Sequence, residues 1–178
     1  RRRLWPVWNR ELSFRMSDID HRSSPVRIRH FTRSLPMSLL RAREAVMRHF
    51  RPALRENGMT EQQWRVLRAL MTRPGMEVAE IAEATFLLGP SLSRILRDLE
   101  QLGYISRRLD ENDHRRSIVS LSPEGVALIE KVSPESEAIY AEITRRFGAQ
   151  RLNELQAMLR ELEQLLADGQ PISGRPGK

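Results

Sequence analysis

The segment from Met76 to Gly125 decides the fold, and it reads MEVAEIAEATFLLGPSLSRILRDLEQLGYISRRLDENDHRRSIVSLSPEG. Two short helical patterns flank a turn around Gly89-Pro90, and two short β-prone runs follow with a charged loop between them. The order helix, turn, helix, strand, basic loop, strand predicts a winged helix-turn-helix. Such a unit sets one helix in the major groove of DNA and its loop against the minor groove.

The second helical pattern of this unit is the candidate recognition helix. It begins at Pro90 and stops at Gly103, residue types that suit the first turn and the left-handed cap of a helix. Its apolar stripe consists of Leu92, Ile95, Leu96, Leu99 and Leu102. The residues predicted to contact DNA lie opposite this stripe or on its flanks: Pro90, Ser91, Ser93, Arg94 and Arg97. Arginine can bind guanine O6 and N7, and serine can bind a base edge or a phosphate. A simply solvated face is the alternative interpretation of the two arginines.

The charged loop lies between the β-prone runs 104–106 and 118–121 and is the predicted wing. Its candidate DNA contacts are Arg107, Asp113, His114, Arg115 and Arg116. Basic residues there can reach phosphates or a narrow minor groove, where the negative potential attracts arginine. Asp113 is a local partner that would orient Arg115. An ordinary charged hairpin is the alternative, but the helix-turn-helix directly before the loop favours a DNA contact.

This wing resembles the wing of MarR-type regulators. The similarity lies in Arg107-x-x-Asp110-x-x-Asp113-x-Arg115, followed by Val119-x-Leu121-Ser122-x-x-Gly125. Ser122 stands where the family usually has threonine, and His114 stands where arginine is common. The similarity runs from about Phe31 to Asp168. Within the family, the segment from Ser34 to Leu70 resembles repressors of 4-hydroxyphenylacetate (homoprotocatechuate) degradation operons.

The resemblance implies a mainly α fold with a small β-hairpin wing and a helical dimerisation region. It implies a homodimeric repressor that binds double-stranded, pseudo-palindromic operator DNA of an aromatic-acid catabolic operon. A small aromatic acid such as a hydroxyphenylacetate would bind between the dimerisation helices and the winged lobe and release the DNA. A ligand-independent or architectural winged-helix protein is the alternative function.

Candidate effector ligands come from the first two helical patterns: Ser34, Ser38, Arg41, Arg43, His49, Phe50 and Trp64. The fork of an arginine suits a carboxylate, and the aromatic residues could hold a ring. Arg41 and Arg43 are two residues apart, so they cannot share one narrow face of a helix. For Phe50 and Trp64, packing in the hydrophobic core is the alternative interpretation.

The remaining sequence suggests three regions. Residues 1–30 are an extension that we expect to be poorly ordered or packed on a partner subunit, residues 31–168 the MarR-like domain, and residues 169–178 a mobile tail. Within the domain, residues 31–57 and 123–168 are the predicted dimerisation helices, and the DNA-binding lobe spans about 60–122. Thr60-x-x-Gln63 predicts a capping box, and Ser122 followed by Pro123 predicts the cap and first position of another helix. Pro52 predicts a kink or helix end, and Pro134 a kink or break near Ser133.

The last helical pattern has a regular leucine seam. Leu152, Leu155, Leu159, Leu162 and Leu166 follow one another at spacings of 3, 4, 3 and 4 residues. This seam is too short for a free-standing coiled coil, so we expect it to pack against the first and fifth helices of a twofold mate. Packing within the monomer is the alternative. A dimer would present two recognition helices to the two halves of a pseudo-palindrome.

Composition limits the remaining classes of function. The net charge is +7, but residues 1–33 hold nine of the 30 basic and three of the 23 acidic residues, so the rest of the chain is nearly neutral. The DNA prediction therefore depends on local clusters of charge rather than on total charge. The absence of cysteine excludes disulfides and thiolate metal sites. The four histidines show no metal-binding spacing, and no apolar run is long enough to span a membrane. We therefore expect a cytoplasmic protein that is not an enzyme and needs no metal or cofactor.

Overall fold

The computed structural model describes residue 31 and residues 34–109 and 116–167. In these residues six helices and three strands follow one another as α1 Leu35–Glu56, α2 Glu61–Leu70, β1 Met76–Glu77, α3 Val78–Thr85, α4 Gly89–Gln101, β2 Ile105–Leu109, β3 Ser117–Leu121, α5 Pro123–Phe147 and α6 Ala149–Ala167. The predicted class, mainly α with a small β wing, is confirmed. The chain divides into a first unit, residues 1–42, and a second unit, residues 43–178. The first turns of α1 belong to the first unit, and every later element belongs to the second.

The sheet is antiparallel and has the order β1-β3-β2. Strands β2 and β3 form the predicted wing hairpin, with Ile105 opposite Leu121 and Leu109 opposite Ser117. The prediction stopped the first strand at Ser106, whereas β2 continues to Leu109 because its charged residues pair with β3 through their backbone. Strand β1 was not predicted, since two residues are too few to show an alternating pattern.

Local capping signals in the sequence correctly predict two helix starts. The hydroxyl of Thr60 accepts a hydrogen bond from Gln63 N at 3.2 Å, and Gln63 Oε1 accepts one from Thr60 N at 2.9 Å. This is the predicted capping box, which supplies partners for two backbone N–H groups. At the start of α5, Ser122 Oγ accepts from Gly125 N at 3.0 Å. A side chain at Gly125 would place its Cβ 2.1 Å from the backbone oxygen of Tyr104, so only glycine fits there.

One hydrophobic core holds the DNA-binding lobe (α2 to β3) together with the beginning of α5. Ile81, Leu92, Leu96, Leu99 and Val119 are completely buried. The predicted stripe of α4 is therefore confirmed for its first four members. Leu102 is the exception, with 53% of its surface exposed, because it is the cap residue beyond the last turn of α4.

Neither proline inside a helix ends or breaks that helix, which was one of the two outcomes expected at each. Helix α1 continues through Pro52 to Glu56, and α5 continues through Pro134 to Phe147 without the expected break near Ser133. A proline removes one helical hydrogen bond, but packing of its neighbours can outweigh that loss. Ala53 and Leu54 are buried directly after Pro52. Near Pro134, Ser133 Oγ donates to the carbonyl of Ile129 at 2.7 Å.

The leucine seam of α6 is only partly covered within the chain. No residue of α6 is buried, although Leu152 and Leu162 are half-buried. Leu155, Leu159 and Leu166 expose 38%, 40% and 51% of their surface. Packing within the monomer, the alternative for this seam, therefore covers two of its leucines in part and leaves the other three exposed. Among the described residues, no helix has both the length and the apolar character needed to cross a bilayer.

Candidate nucleic-acid interface and effector cavity

Helix α4 has one buried side and one exposed side. Leu92, Ile95, Leu96 and Leu99 are buried in the core. The five residues of α4 predicted to contact DNA are all exposed: Pro90, Ser91, Ser93, Arg94 and Arg97. The structure therefore leaves this whole set accessible to a large ligand.

A polar cleft joins the exposed side of α4 to the beginning of α2. Its volume is about 300 Å³, and Ser91, Arg94 and Asp98 line one wall while Gln62 and Gln63 line the other. The sequence identified the start of α2 but not its position beside Arg94, because a capping motif says nothing about which neighbour a helix end meets. Gln62 is thus a surface residue that the sequence analysis missed.

The described part of the wing is tied to the lobe by ion pairs. Arg107 Nε lies 3.1 Å from Glu100 Oε2 of α4, and Arg116 Nη1 donates to Glu77 Oε1 of β1 at 2.9 Å. These contacts link β2 to α4 and the residue before β3 to β1. The other predicted wing contacts, Asp113, His114 and Arg115, lie outside the described residues, as does the expected contact of Asp113 with Arg115.

A cavity of about 390 Å³ lies among four helices of the second unit. Two of the predicted effector ligands, Arg43 of α1 and Trp64 of α2, line it. Its other walls include residues that the sequence analysis did not select: Glu61, Arg65, Arg68, Phe86, Ser136 and Tyr140. Because these residues come from α2, α5 and the turn after α3, only the tertiary structure brings them together.

Two further predicted effector ligands of the second unit, His49 and Phe50, do not line this cavity. Phe50 is buried, with its ring centroid 5.0 Å from that of Tyr140, so the core interpretation holds for Phe50. His49 lines a different cavity of about 290 Å³ with residues of α5, among them Glu142. Hydrogen bonds from Arg145 and Arg146 lower the pKa of Glu142 to about 2.

Three further candidates, Ser34, Ser38 and Arg41, belong to the first unit. The hydroxyl of Ser38 donates to the carbonyl of Ser34 at 3.1 Å.

For Trp64 the structure agrees with both interpretations, core packing and a place in the cavity. Its side chain packs against the core and also lines the 390 Å³ cavity.

Charge in the 390 Å³ cavity is arranged around Glu61. Its carboxylate pairs with Arg43, with Arg65 at 2.9 Å and with Arg51 at 3.2 Å. Arg68 differs, because its guanidinium lies over the ring of Trp64, 5.9 Å from the centroid. Within the part of the chain that the structure describes, Arg68 has no carboxylate partner. Three arginines and one glutamate line the cavity. The cavity is thus suited to an anion with an aromatic ring.

Comparison with known proteins identifies the family. The MarR family profile matches residues 57–116. Over 128 residues the chain is 38% identical to the homoprotocatechuate degradative operon repressor of Escherichia coli, covering 72% of this chain and 86% of the repressor. The chain belongs to the MarR family. The family prediction is thereby confirmed, and so is the prediction that the protein is not an enzyme, since members of this family are transcriptional regulators.

Solved structures show the same fold as this MarR-family chain. NadR in complex with 4-hydroxyphenylacetate has a TM-score of 0.69 and 34% identity, over 78% of this chain and 97% of NadR. The repressor CouR bound to a 23-mer DNA duplex has a TM-score of 0.68 and 25% identity, over 78% of this chain and 99% of CouR. The MarR-family fold thus includes one relative solved with an aromatic acid and one solved with DNA.

Proposed function

We propose that this MarR-family protein is a homodimeric repressor of an aromatic-acid catabolic operon, acting in the cytoplasm, and that a small aromatic carboxylate releases it from DNA. The observation that carries the proposal is Arg68, which has no carboxylate partner among the described residues and lies over Trp64 in a cavity bordered by the helix-turn-helix. The E. coli relative's role as a homoprotocatechuate operon repressor and the binding of 4-hydroxyphenylacetate by NadR support it.

The DNA-reading surface in this proposal is the exposed side of α4 with the wing. Arg94 and Arg97 supply cations next to the serines at the beginning of α4, where helix-turn-helix proteins contact base edges. Arg107, Arg115 and Arg116 supply the cations of the wing, with Asp113 and His114 between them in sequence. Gln62, across the cleft from Arg94, is an added candidate for a phosphate contact.

Dimerisation in this proposal uses residues 31–57 and 123–168. The exposed leucines of α6 support it, because an unpacked apolar seam on a regular helix needs a second surface to cover it. Two copies related by a dyad would hold their α4 helices about 34–36 Å apart, or a multiple of that distance, to match the halves of an operator.

The effector in this proposal is held by Arg68 and Trp64. A ligand carboxylate would bind the guanidinium of Arg68, which does not have to leave an ion pair first. The ring of the ligand would pack beside Trp64 and Tyr140, which also line the cavity. Arg43 is engaged by Glu44 at 2.8 Å and by Glu61, so it supplies positive potential rather than the first contact.

The test is a fluorescence-anisotropy titration of operator DNA with and without 4-hydroxyphenylacetate. We expect the acid to weaken DNA binding and the neutral amide of the same compound to have far less effect. Arg68→Met should lower the affinity for the acid about tenfold or more while operator affinity changes little, since a hydrogen bond to a charged group is lost. Arg55→Met, on the exposed last turn of α1, is the matched control. If no aromatic acid changes operator affinity, the ligand-independent function is the correct one.

A further inference from the structure

Arg65 connects the effector cavity to the helix-turn-helix. Its Nη2 donates to Glu61 Oε1 at 2.9 Å, and its Nη1 donates to the backbone carbonyl of Thr85 at 2.9 Å. Thr85 is the last residue of α3 and is completely buried. A single guanidinium on the cavity wall thus holds the carboxyl end of the first helix of the helix-turn-helix.

The residue after Thr85 is also part of the cavity wall. Phe86 has a φ of +53°, and among the described residues it is the one non-glycine with a positive φ. Its side chain lines the cavity and exposes 81% of its surface. Helix α4 begins three residues later, at Gly89. The turn that sets the start of the recognition helix is therefore one wall of the effector cavity.

We infer that Arg65 is the positioning residue through which an effector in the cavity moves α4, an inference that rests on the proposed function. In the structure the two sides of the guanidinium are held by Glu61 and by the Thr85 carbonyl. The ligand carboxylate that binds Arg68 has a second oxygen, and this oxygen competes with that carbonyl for Arg65, because a charged acceptor forms a stronger hydrogen bond with arginine than a neutral one. Once the bond to Thr85 breaks, the end of α3 loses its side-chain donor and the turn at residues 85–88 shifts.

The other arginines of the cavity cannot act in this way. Arg43 pairs with Glu44 and Glu61, and Arg68 lies over Trp64. Of the three arginines that line the cavity, Arg65 is the one whose side chain has a hydrogen bond to the backbone of the helix-turn-helix in the described structure. Binding of the effector and transmission to α4 are thereby assigned to different residues of α2, one turn apart.

The experiment compares Arg65→Met with Arg68→Met in the full-length protein, with 4-hydroxyphenylacetate as the probe. Two quantities are measured for each variant: affinity for the acid by calorimetry, and the ratio of operator dissociation constants with and without saturating acid. We expect a ratio in the wild type of about 5 to 150, the range typical of allosteric coupling.

In Arg65→Met the acid should still bind while the ratio falls to within about twofold of 1. In Arg68→Met the acid itself should bind poorly. Arg65→Lys keeps the charge but lacks the two separate nitrogens that reach Thr85 and Glu61, so it should restore only part of the ratio.

A second measurement uses the wild type alone and holds even if Arg65→Met does not fold. Amide hydrogen exchange in the segment 85–89 should become faster when the acid binds, because the bond from Arg65 to Thr85 is lost. Two results would overturn the inference: a wild-type ratio retained in Arg65→Met, or exchange in 85–89 that the acid does not accelerate although DNA is released. A wild type whose operator affinity ignores the acid contradicts the proposed function instead, so the two failures are distinguishable.

Discussion

The DNA-binding lobe and α6 contain the same kind of residue in opposite situations. In the lobe, Leu92, Leu96 and Leu99 of α4 are completely buried by neighbours from the same chain. In α6, Leu155 and Leu159 follow an equally regular pattern, and neither is buried. One chain therefore buries these leucines of the lobe, whereas it leaves part of the α6 seam exposed. A helical leucine pattern predicts an apolar face, but it does not identify the molecule that covers this face.

The largest effect on stability is expected in the core of the lobe, which residues of a single chain fill. Leu96→Ala removes a fully buried side chain and should lower the free energy of unfolding by about 2–5 kcal/mol. Leu102→Ala is the matched control on the same sequence stripe, and it should change stability by less than about 1 kcal/mol because Leu102 is half exposed. Urea unfolding at one protein concentration measures both, since stability of a dimer depends on concentration. Equal losses of stability in the two variants would mean that Leu102 is part of the lobe core, contrary to its half-exposed position in the structure.

The next largest effect is expected at the exposed leucines of α6. The double change Leu155→Glu with Leu159→Glu places two charges on the exposed seam of α6. If a second copy covers that seam, the protein should become monomeric, and operator affinity should fall about 100-fold or more because two linked half-site contacts become one. The lobe should stay folded, as judged by circular dichroism, because no residue of α6 is buried.

A matched control for this variant is available on the same helix. Asn153→Asp with Gln164→Glu adds the same charge to α6 but outside the leucine seam, and should leave the oligomeric state unchanged. Sedimentation velocity gives the size of each variant. A double glutamate variant that sediments as the wild type does would show that no second copy covers the seam of α6.

Local signals explain what the sequence predicted correctly. Each correct prediction depends on residues a few positions apart in sequence. The structure contains the predicted helix starts at Thr60 and Ser122 and the predicted exposed side of α4. The proline at position 52 shows the limit of such signals. The local rule ends a helix near proline, but buried Ala53 and Leu54 hold the last turn of α1 in place.

The lining of the 390 Å³ cavity was predictable only in part, for a physical reason. The sequence selected Trp64 and Arg43 by residue type, and both line the cavity. It missed Arg65 and Arg68, which look like ordinary surface charges on α2. What distinguishes them is contact with other elements: Arg65 bonds the end of α3, and Arg68 shares a cavity with α5. No spacing along α2 contains that information.

The smallest effect is expected at Arg94, on the exposed side of α4. The exposed seam of α6 is apolar and suited to contact with protein. The exposed side of α4 is polar, with Arg94 beside Ser91 and Asp98 at a cleft, and is suited to DNA. Arg94→Ala should cost about 1–3 kcal/mol of operator binding and relax the preference at one base pair, because a guanidinium can bind guanine at two points. Arg94→Lys keeps the charge but not the fork, so it should recover non-specific binding and not the base preference. Binding to a set of operators that differ at single positions, at fixed salt, separates the two contributions. Equal weakening of Arg94→Ala on every operator, with full recovery in Arg94→Lys, would make Arg94 a phosphate contact and leave base reading to other residues of α4.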